Sequence, residues 1–355
     1  MRKYFVGLKD KLLIIDQTKD GFEIHEHLLE KQPTSLAFDP DNKQRIYCAT
    51  NGDGLWKTEN GGGRWQKIGA PSHSSTKTHI GHGMSSSKIT AVAVHPTKKI
   101  NGNAVVYAGT EPSMLYFSTD LGRSWEEFEA MQHVPSKRNW AFPPRPYTHF
   151  VRWITPSYHN DKHLSVSIEA GAVLNTYDEG EIWVDRPEKS PIDVHTLLAH
   201  PNAPNRLYAA NGDGSSNNKH AYAESTDAGK SWNYMSEGVE EHPYLYNMVI
   251  HPDHPDIRFV SASKSARTAH GNKRYSTIYK KIDDEPWVEF AVGLPREDAY
   301  THHLSDDSKE LGAFFAMNNF GIYHLADGSK EWKKLDLDWS KYANRRAYCF
   351  EVQEY

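Results

Sequence analysis

Twenty histidines in 355 residues make imidazole the first chemistry to weigh, because it titrates near neutral pH and also ligates metals. Three of them, His149, His195 and His302, fall at equivalent places in the repeat described below and are expected to converge on one axis. Glu111 and Glu169 end strands at the same mouth. Imidazoles with a carboxylate could hold one divalent transition metal, Zn²⁺, Mn²⁺ or Fe²⁺. The same five residues could instead act as general acids and bases without metal. The bland alternative is that each imidazole bonds a neighbouring carbonyl and fills the channel. His95, His200 and His251 precede proline at turns and read as structural.

Cations gather in the long loops on that side of the chain. The loop 69–88 carries His82, with His73 and His79. The loop 131–147 carries Arg138 and Arg145, and the loop 261–276 carries Arg267 and Arg274. With Tyr246 and Tyr348 from the expected channel wall, these residues would hold a small anionic or carbohydrate ligand, since guanidinium matches carboxylate, phosphate or sulfate. A solvated rim of mixed charge is the other reading. The exposed-looking aromatic run Trp140–Tyr147 could equally receive a protein partner or cover the pocket.

The elements that must position these groups are short strands. Aromatic residues make up 12% of the chain, and glycine and proline are spread throughout, which suggests many strands separated by turns. Four segments share one spacing: Ser118, Asp120, Gly122 and Trp125; Thr176, Asp178, Gly180 and Trp183; Ser225, Asp227, Gly229 and Trp232; and Thr58, Asn60, Gly62 and Trp65. A short Asp or Asn side chain accepts backbone N–H groups within a turn, glycine supplies positive φ, and tryptophan buries its ring on a neighbouring strand. These residues build a corner, so Asp120, Asp178 and Asp227 are read as architectural.

Each corner sits in a longer four-strand unit, and six full units run along the chain. The ends supply the remainder: three strands at the N-terminus and one, from Ala347, at the C-terminus. The expectation is an all-β, seven-bladed propeller with four-stranded blades, a single domain over 1–355 closed by the C-terminal strand pairing with the N-terminal three-stranded blade. The blades are expected at 3–31 with 345–355, 33–69, 88–131, 146–187, 193–238, 243–295 and 300–339. Closure removes exposed sheet edges. Aligning innermost strands on the Asp/His-Pro that ends them places Thr34, Thr90, His149, His195, Tyr246, His302 and Tyr348 first on the channel wall.

The spacing Ser/Thr-x-Asp-x-Gly-x-x-Trp resembles the Asp-box, or BNR repeat, of sialidase-like propellers, and the likeness spans nearly the whole chain. The superfamily includes sialidases, xyloglucan-cleaving glycosidases, sortilin-like receptors and photosystem II assembly factors of the Ycf48 type. The resemblance implies the fold and a ligand face opposite the boxes; it does not by itself imply an activity. The Arg-Ile-Pro signature of sialidases is missing, with only Pro144, Arg145 and Pro146 as a poor substitute.

The function expected is a carbohydrate-active enzyme, glycosidase-like or a lyase or isomerase on an acidic sugar or similar small acid. The alternative is a non-catalytic propeller acting as a protein-binding or assembly module. A net charge of −5 argues against nucleic acid. No nucleotide-binding glycine motif is present, so no nucleotide cofactor is expected. No apolar stretch reaches the ~20 residues of a membrane span, no export signal is visible, and a cytoplasmic location is expected. Cys48 and Cys349 are too few for a disulfide framework and read as buried thiols.

Overall fold

The computed structural model describes residues 2–69, 83–307 and 309–355. The first blade contributes β1 (Arg2–Leu8), β2 (Lys11–Thr18) and β3 (Gly21–His27). The second is β4 (Pro33–Asp39), β5 (Asn42–Thr50), β6 (Gly54–Thr58) and β7 (Gln66–Ile68). The third is β8 (Ile89–Ile100), β9 (Asn103–Thr110), β10 (Leu115–Ser118) and β11 (Glu126–Glu127). The fourth has β12 (Val151–Pro156), β13 (Leu164–Ile168) and β14 (Ala172–Thr176). The fifth is β15 (Val194–His200), β16 (Ala203–Asn211), β17 (Tyr222–Ser225) and β18 (Asn233–Tyr234). The sixth is β19 (Tyr244–Ile250), β20 (Ile257–Ser263), β21 (Thr277–Ile282) and β22 (Val288–Glu289), with the short helix α1 (Ala266–His270) between β20 and β21. The seventh is β23 (His303–Asp306), β24 (Phe314–Asn318), β25 (Gly321–Leu325) and β26 (Lys333–Lys334).

The last strand, β27 (Ala347–Glu354), pairs antiparallel with β1 and becomes the inner strand of the first blade. The innermost strands then pack in a closed cycle, β27 on β4, β4 on β8, β8 on β12, β12 on β15, β15 on β19, β19 on β23 and β23 on β27. The molecule is therefore a seven-bladed propeller. The fourth blade departs from the four-strand expectation. Its outermost position holds only a bridge, Asn175 with Val184.

The core is distributed around the ring, with an apolar cluster at each blade interface. Phe128, Trp140 and Leu174 belong to the cluster between the third and fourth blades, and Tyr4, Phe315 and Phe350 to the one that closes the ring. Side-chain hydroxyls stitch the hub. Thr34 Oγ1 donates to the Ile89 carbonyl, Thr90 Oγ1 to Val151, Thr155 Oγ1 to Leu197 and Thr196 Oγ1 to Tyr246, each reaching the next blade at 2.6–2.9 Å.

The four corners are built alike. In one, Ser118 Oγ donates to Asp120 Oδ1 while Asp120 Oδ1 accepts the Arg123 and Ser124 amides, and Gly122 N donates to Ser118 Oγ. In another, Gly180 has φ +92°, and a Cβ there would come within 2.2 Å of the Phe128 ring of the preceding blade. Gly180→Ala is therefore expected to cost about 2–4 kcal/mol, from left-handed backbone strain plus overpacking. Gly328 also has positive φ, but a Cβ there would meet nothing within 4 Å, so Gly328→Ala should cost only about 1–2 kcal/mol. Urea midpoints of the two variants check the difference; equal midpoints would contradict interlocking at the corner.

Candidate functional site

Six of the seven innermost strands share an irregularity that decides which side chains reach the axis; β23 pairs with β24 without it. Pairing with the neighbouring strand shifts register between Pro33 and Ser35, Ile89 and Ala91, Val151 and Trp153, Val194 and Thr196, and Leu245 and Met248, and again opposite Gly7 and Leu8. A bulge turns its extra residue out of the ladder and re-aims the side chain. The extra residues are Thr34, Thr90, Arg152, His195, Tyr246 with Asn247, and Tyr348.

Above them opens a cavity of about 590 Å³. Its wall includes Thr34, Thr90, Arg152, Tyr246 and Tyr348 from the bulges, Glu111 and Glu169 from strand ends, and Arg346 just before β27. Loops complete it with Phe142 and Arg145 on one side and Arg267 and His270 on the other. A second recess of about 360 Å³ adjoins it, sharing His270, Arg346 and Tyr348 and adding Lys9, Tyr300 and Arg345. Among the residues lining the larger cavity, four guanidinium groups stand against two carboxylates, so the space favours a negative guest.

At its centre lies Tyr246. The Arg152 guanidinium sits over its ring at 5.0 Å, and Arg346 Nη2 approaches its hydroxyl at 3.5 Å. Burial alone would raise the phenol pKa; Arg152 and Arg346 more than offset it and hold the group below its ordinary value. Arg152 Nε also faces Glu169 Oε2 at 3.2 Å. Burial nevertheless raises the Glu169 carboxyl, against the pull of His195 and Arg152. Arg346 stacks on Tyr348 at 5.1 Å and has no ion-pair partner among the described residues. His270, beside Tyr246 at 4.9 Å between ring centres, is held neutral by burial, and Tyr244 Oη lies 3.2 Å from its Nε2.

The three histidines expected to converge do not do so. His195 alone belongs to the cluster: its Nδ1 donates to the Leu245 carbonyl at 2.6 Å, and its Nε2 lies 3.7 Å from both Glu169 and Asp193. His149 precedes β12, accepts the Ser113 amide at Nδ1, and packs edge-on against Trp140. The bulge that faces the channel in that blade comes three residues later, at Arg152. His302 is fully buried between the sixth and seventh blades, with Ser276 Oγ of the sixth at 2.8 Å from Nδ1 and the Asn318 amide of the seventh donating to Nε2 at 3.0 Å. Both of its ring nitrogens are committed, so neither His149 nor His302 joins His195 in a metal set. The imidazole beside the channel in that blade is His303, one residue on, which lies 5.8 Å from the Tyr246 ring.

The other expected residues divide. Glu111 lines the cavity, ion-paired with Lys88 at 3.4 Å and with Arg145 at 2.9 Å. Arg145, Arg267, Tyr246 and Tyr348 line it as well. Arg138 lies on a 3₁₀ turn away from the cavity, and Arg274 is stacked on Tyr300 at 4.5 Å with its Nε bonded to the Asp298 carbonyl. His82 lies outside the described residues. Arg152, Asp193, His270 and Arg346 are new to the set. The alternation Val151, Arg152, Trp153, Ile154 carried a signal for Arg152; Arg346 offered only its place beside the closing strand.

Among the described residues, no helix is long and apolar enough to cross a membrane. No protein-family model matches the sequence, and no curated protein matches it. Solved structures do. An ancestral GH74 enzyme, AFV00434, superposes over 91% of this chain with a TM-score of 0.62 at 15% identity, this chain spanning 38% of its length. The GH74 enzyme of Niastella koreensis gives 0.51 over 95% at 13% identity, and the chain again spans only part of it, 56%. YCF48 bound to D1 peptide gives 0.58 over 87% at 18% identity, with 82% of that chain covered. At such identities the likeness is one of architecture alone: this chain shares the seven-bladed propeller fold with GH74 enzymes and with YCF48.

Proposed function

We propose that this propeller, an Asp-box member of the sialidase-like and Ycf48-like superfamily, is a carbohydrate-active enzyme acting on an acidic sugar or a similar small acid. The observation that carries the reading is the convergence of Arg152 and Arg346 on Tyr246 inside a cavity lined by more guanidinium than carboxylate. Arg346, free of any ion pair among the described residues, is available to a ligand carboxylate. A charge-assisted, two-pronged guanidinium contact fixes orientation as well as charge. Tyr246, His270 and Glu169 then stand around the bound ring, where hydroxyl, imidazole and carboxyl groups can hold or move a proton. GH74 enzymes on the same architecture support a sugar substrate.

Titration with galacturonate and with galactose tests the idea. The uronate is expected to bind and the neutral sugar not. Arg346→Gln should weaken the uronate about 10- to 100-fold, the effect of one charged hydrogen bond of about 1.5–3 kcal/mol. Equal binding of both sugars, or an unchanged Arg346→Gln, would reject it. One observation favours a second reading. Tyr147, beside the cavity loop, is 84% exposed, and YCF48 was solved with a peptide. An assembly module would bind peptide with no preference for uronate.

A further inference from the structure

Two groups of side chains among the described residues bring metal-ligating atoms within 4.8 Å of one another: Glu169 with Asp193 and His195, and Asp307 with Glu310 and His324. The second is already filled. Arg2 places its guanidinium on both oxygens of Asp307 and within 3.7 Å of Glu310, so a protein cation takes the place an ion would need. The first has no such plug at its centre.

We infer that Glu169, Asp193 and His195 form a site for one divalent transition-metal ion beside the cavity, with Glu169 on the cavity wall. His195 is 1% exposed, and the Leu245 carbonyl takes its Nδ1 proton. The lone pair of Nε2 is therefore turned toward the two carboxylates. It lies 3.7 Å from Glu169 Oε1 and 3.7 Å from Asp193 Oδ2, beyond hydrogen-bond range. Three acceptors thus face one point with no donor among them. Ligand atoms about 2.1 Å from a tetrahedral ion stand about 3.4 Å apart, close to the two 3.7 Å spacings from Nε2, and all three ligand atoms lie within 4.8 Å of one another. A backbone carbonyl fixing the far nitrogen is the usual support of a metal-bound histidine.

The carboxylates are held for this geometry. Asp193 Oδ1 accepts the Ala170 amide at 3.1 Å, which leaves Oδ2 for the ion. Asp213 Oδ2 ties down the Ile192 and Asp193 amides. Glu169 turns Oε2 to Arg152 and Oε1 to His195. Gly212 closes the back. A Cβ there would lie 2.1 Å from Asp193 Oδ2 and 2.7 Å from His195 Cε1, so only glycine leaves the pair room. One nitrogen and two carboxylate oxygens suit Mn²⁺, Zn²⁺ or Fe²⁺. Three protein ligands leave coordination positions open for water or for an oxygen of a ligand in the cavity, the pattern of reactive rather than structural centres.

The test uses the full chain without a polyhistidine tag, stripped with chelator, dialysed and titrated with Mn²⁺ alone, read by electron paramagnetic resonance. No sugar is present, so the outcome is separate from that of the uronate experiment. About one equivalent should bind, with Glu169→Gln and Asp193→Asn each weakening it at least about tenfold. Glu310→Gln, in the filled cluster, should bind as the parent does. Zn²⁺ competition should displace the Mn²⁺. Absence of uptake, or uptake undiminished in Glu169→Gln and Asp193→Asn, overturns the site. Thermal unfolding of the metal-free variants, expected at the parent's temperature, separates a lost ligand from a lost fold.

Discussion

Deleting Ala347–Tyr355 is expected to abolish the cooperative fold. β27 pairs with β1 along its length, from Arg2 opposite Glu354 to Leu8 opposite Ala347. It buries Cys349, Phe350 and Val352 between the first blade and its neighbours. At about 1.5–3 kcal/mol for each large apolar side chain, the loss approaches the about 5–15 kcal/mol that holds a whole domain folded. Removal would also bare the edge of β1 and the inner ends of two interfaces, a template for aggregation. Size-exclusion chromatography and near-ultraviolet circular dichroism should show aggregated or unfolded chain. The point variant Phe350→Ala, which keeps the strand, should remain folded but lose about 3–5 kcal/mol. A soluble monomeric truncation with the parent's urea midpoint would mean that the ring does not depend on its closing strand.

Acid should unfold the protein well above the carboxylate range. Burial pulls down the pKa of His95, to about 4, and of His302 and His303, each to about 3. His163, His200, His242 and His270 shift the same way, again chiefly through burial. An imidazole depressed in the folded state takes up its proton more readily when unfolded. Its contribution is complete above the unfolded value near 6.5 and is lost as pH falls toward the folded value. For His302 and His303, 0% and 7% exposed, the loss by pH 5 is about 2 kcal/mol each. Glu351 works in the opposite sense. Burial, with Asp306 beside it, raises its carboxyl to about 8, so its contribution is present at low pH and declines as pH rises from about 4.5 to 8. Stability should therefore peak near neutrality and fall steeply below pH 6. Urea midpoints at pH 7, 6 and 5 check this, and His302→Gln, which cannot take up a proton, should flatten the slope. Midpoints unchanged between pH 7 and 5 would refute the argument.

The ring was legible because its units repeat chemistry that only one local shape satisfies. A short acceptor, a glycine with positive φ and a tryptophan at fixed spacing define the same corner at Trp65, Trp125, Trp183 and Trp232. The leftover strands at the two ends could be reconciled only by pairing them. The site was less legible, because it depends on side-chain direction, which alternates from one residue to the next. His302 and His303 are neighbours in sequence; one is sealed between two blades and the other stands at the channel. In β12 an alignment anchored on Thr155 and Pro156 put His149 on the wall, whereas the bulge selects Arg152. Asp193 lies just before β15, in a loop whose shape rests on Asp213 twenty residues away, a relation that no spacing rule announces. Glu111, Glu169, His195, Tyr246 and Tyr348 were within reach because they end strands or occupy the bulge.

The threonine stitches at the hub also bear on how a guest is received. Each inner strand so tied is joined to its neighbour by a side chain that spans the gap, so tilting one blade would break bonds to another. Such a collar cannot clench around what enters it. Recognition would then resemble a key entering a cut lock: the guest surrenders its own freedom, the host little, and selectivity rests on outline and charge already in place rather than on a closing movement.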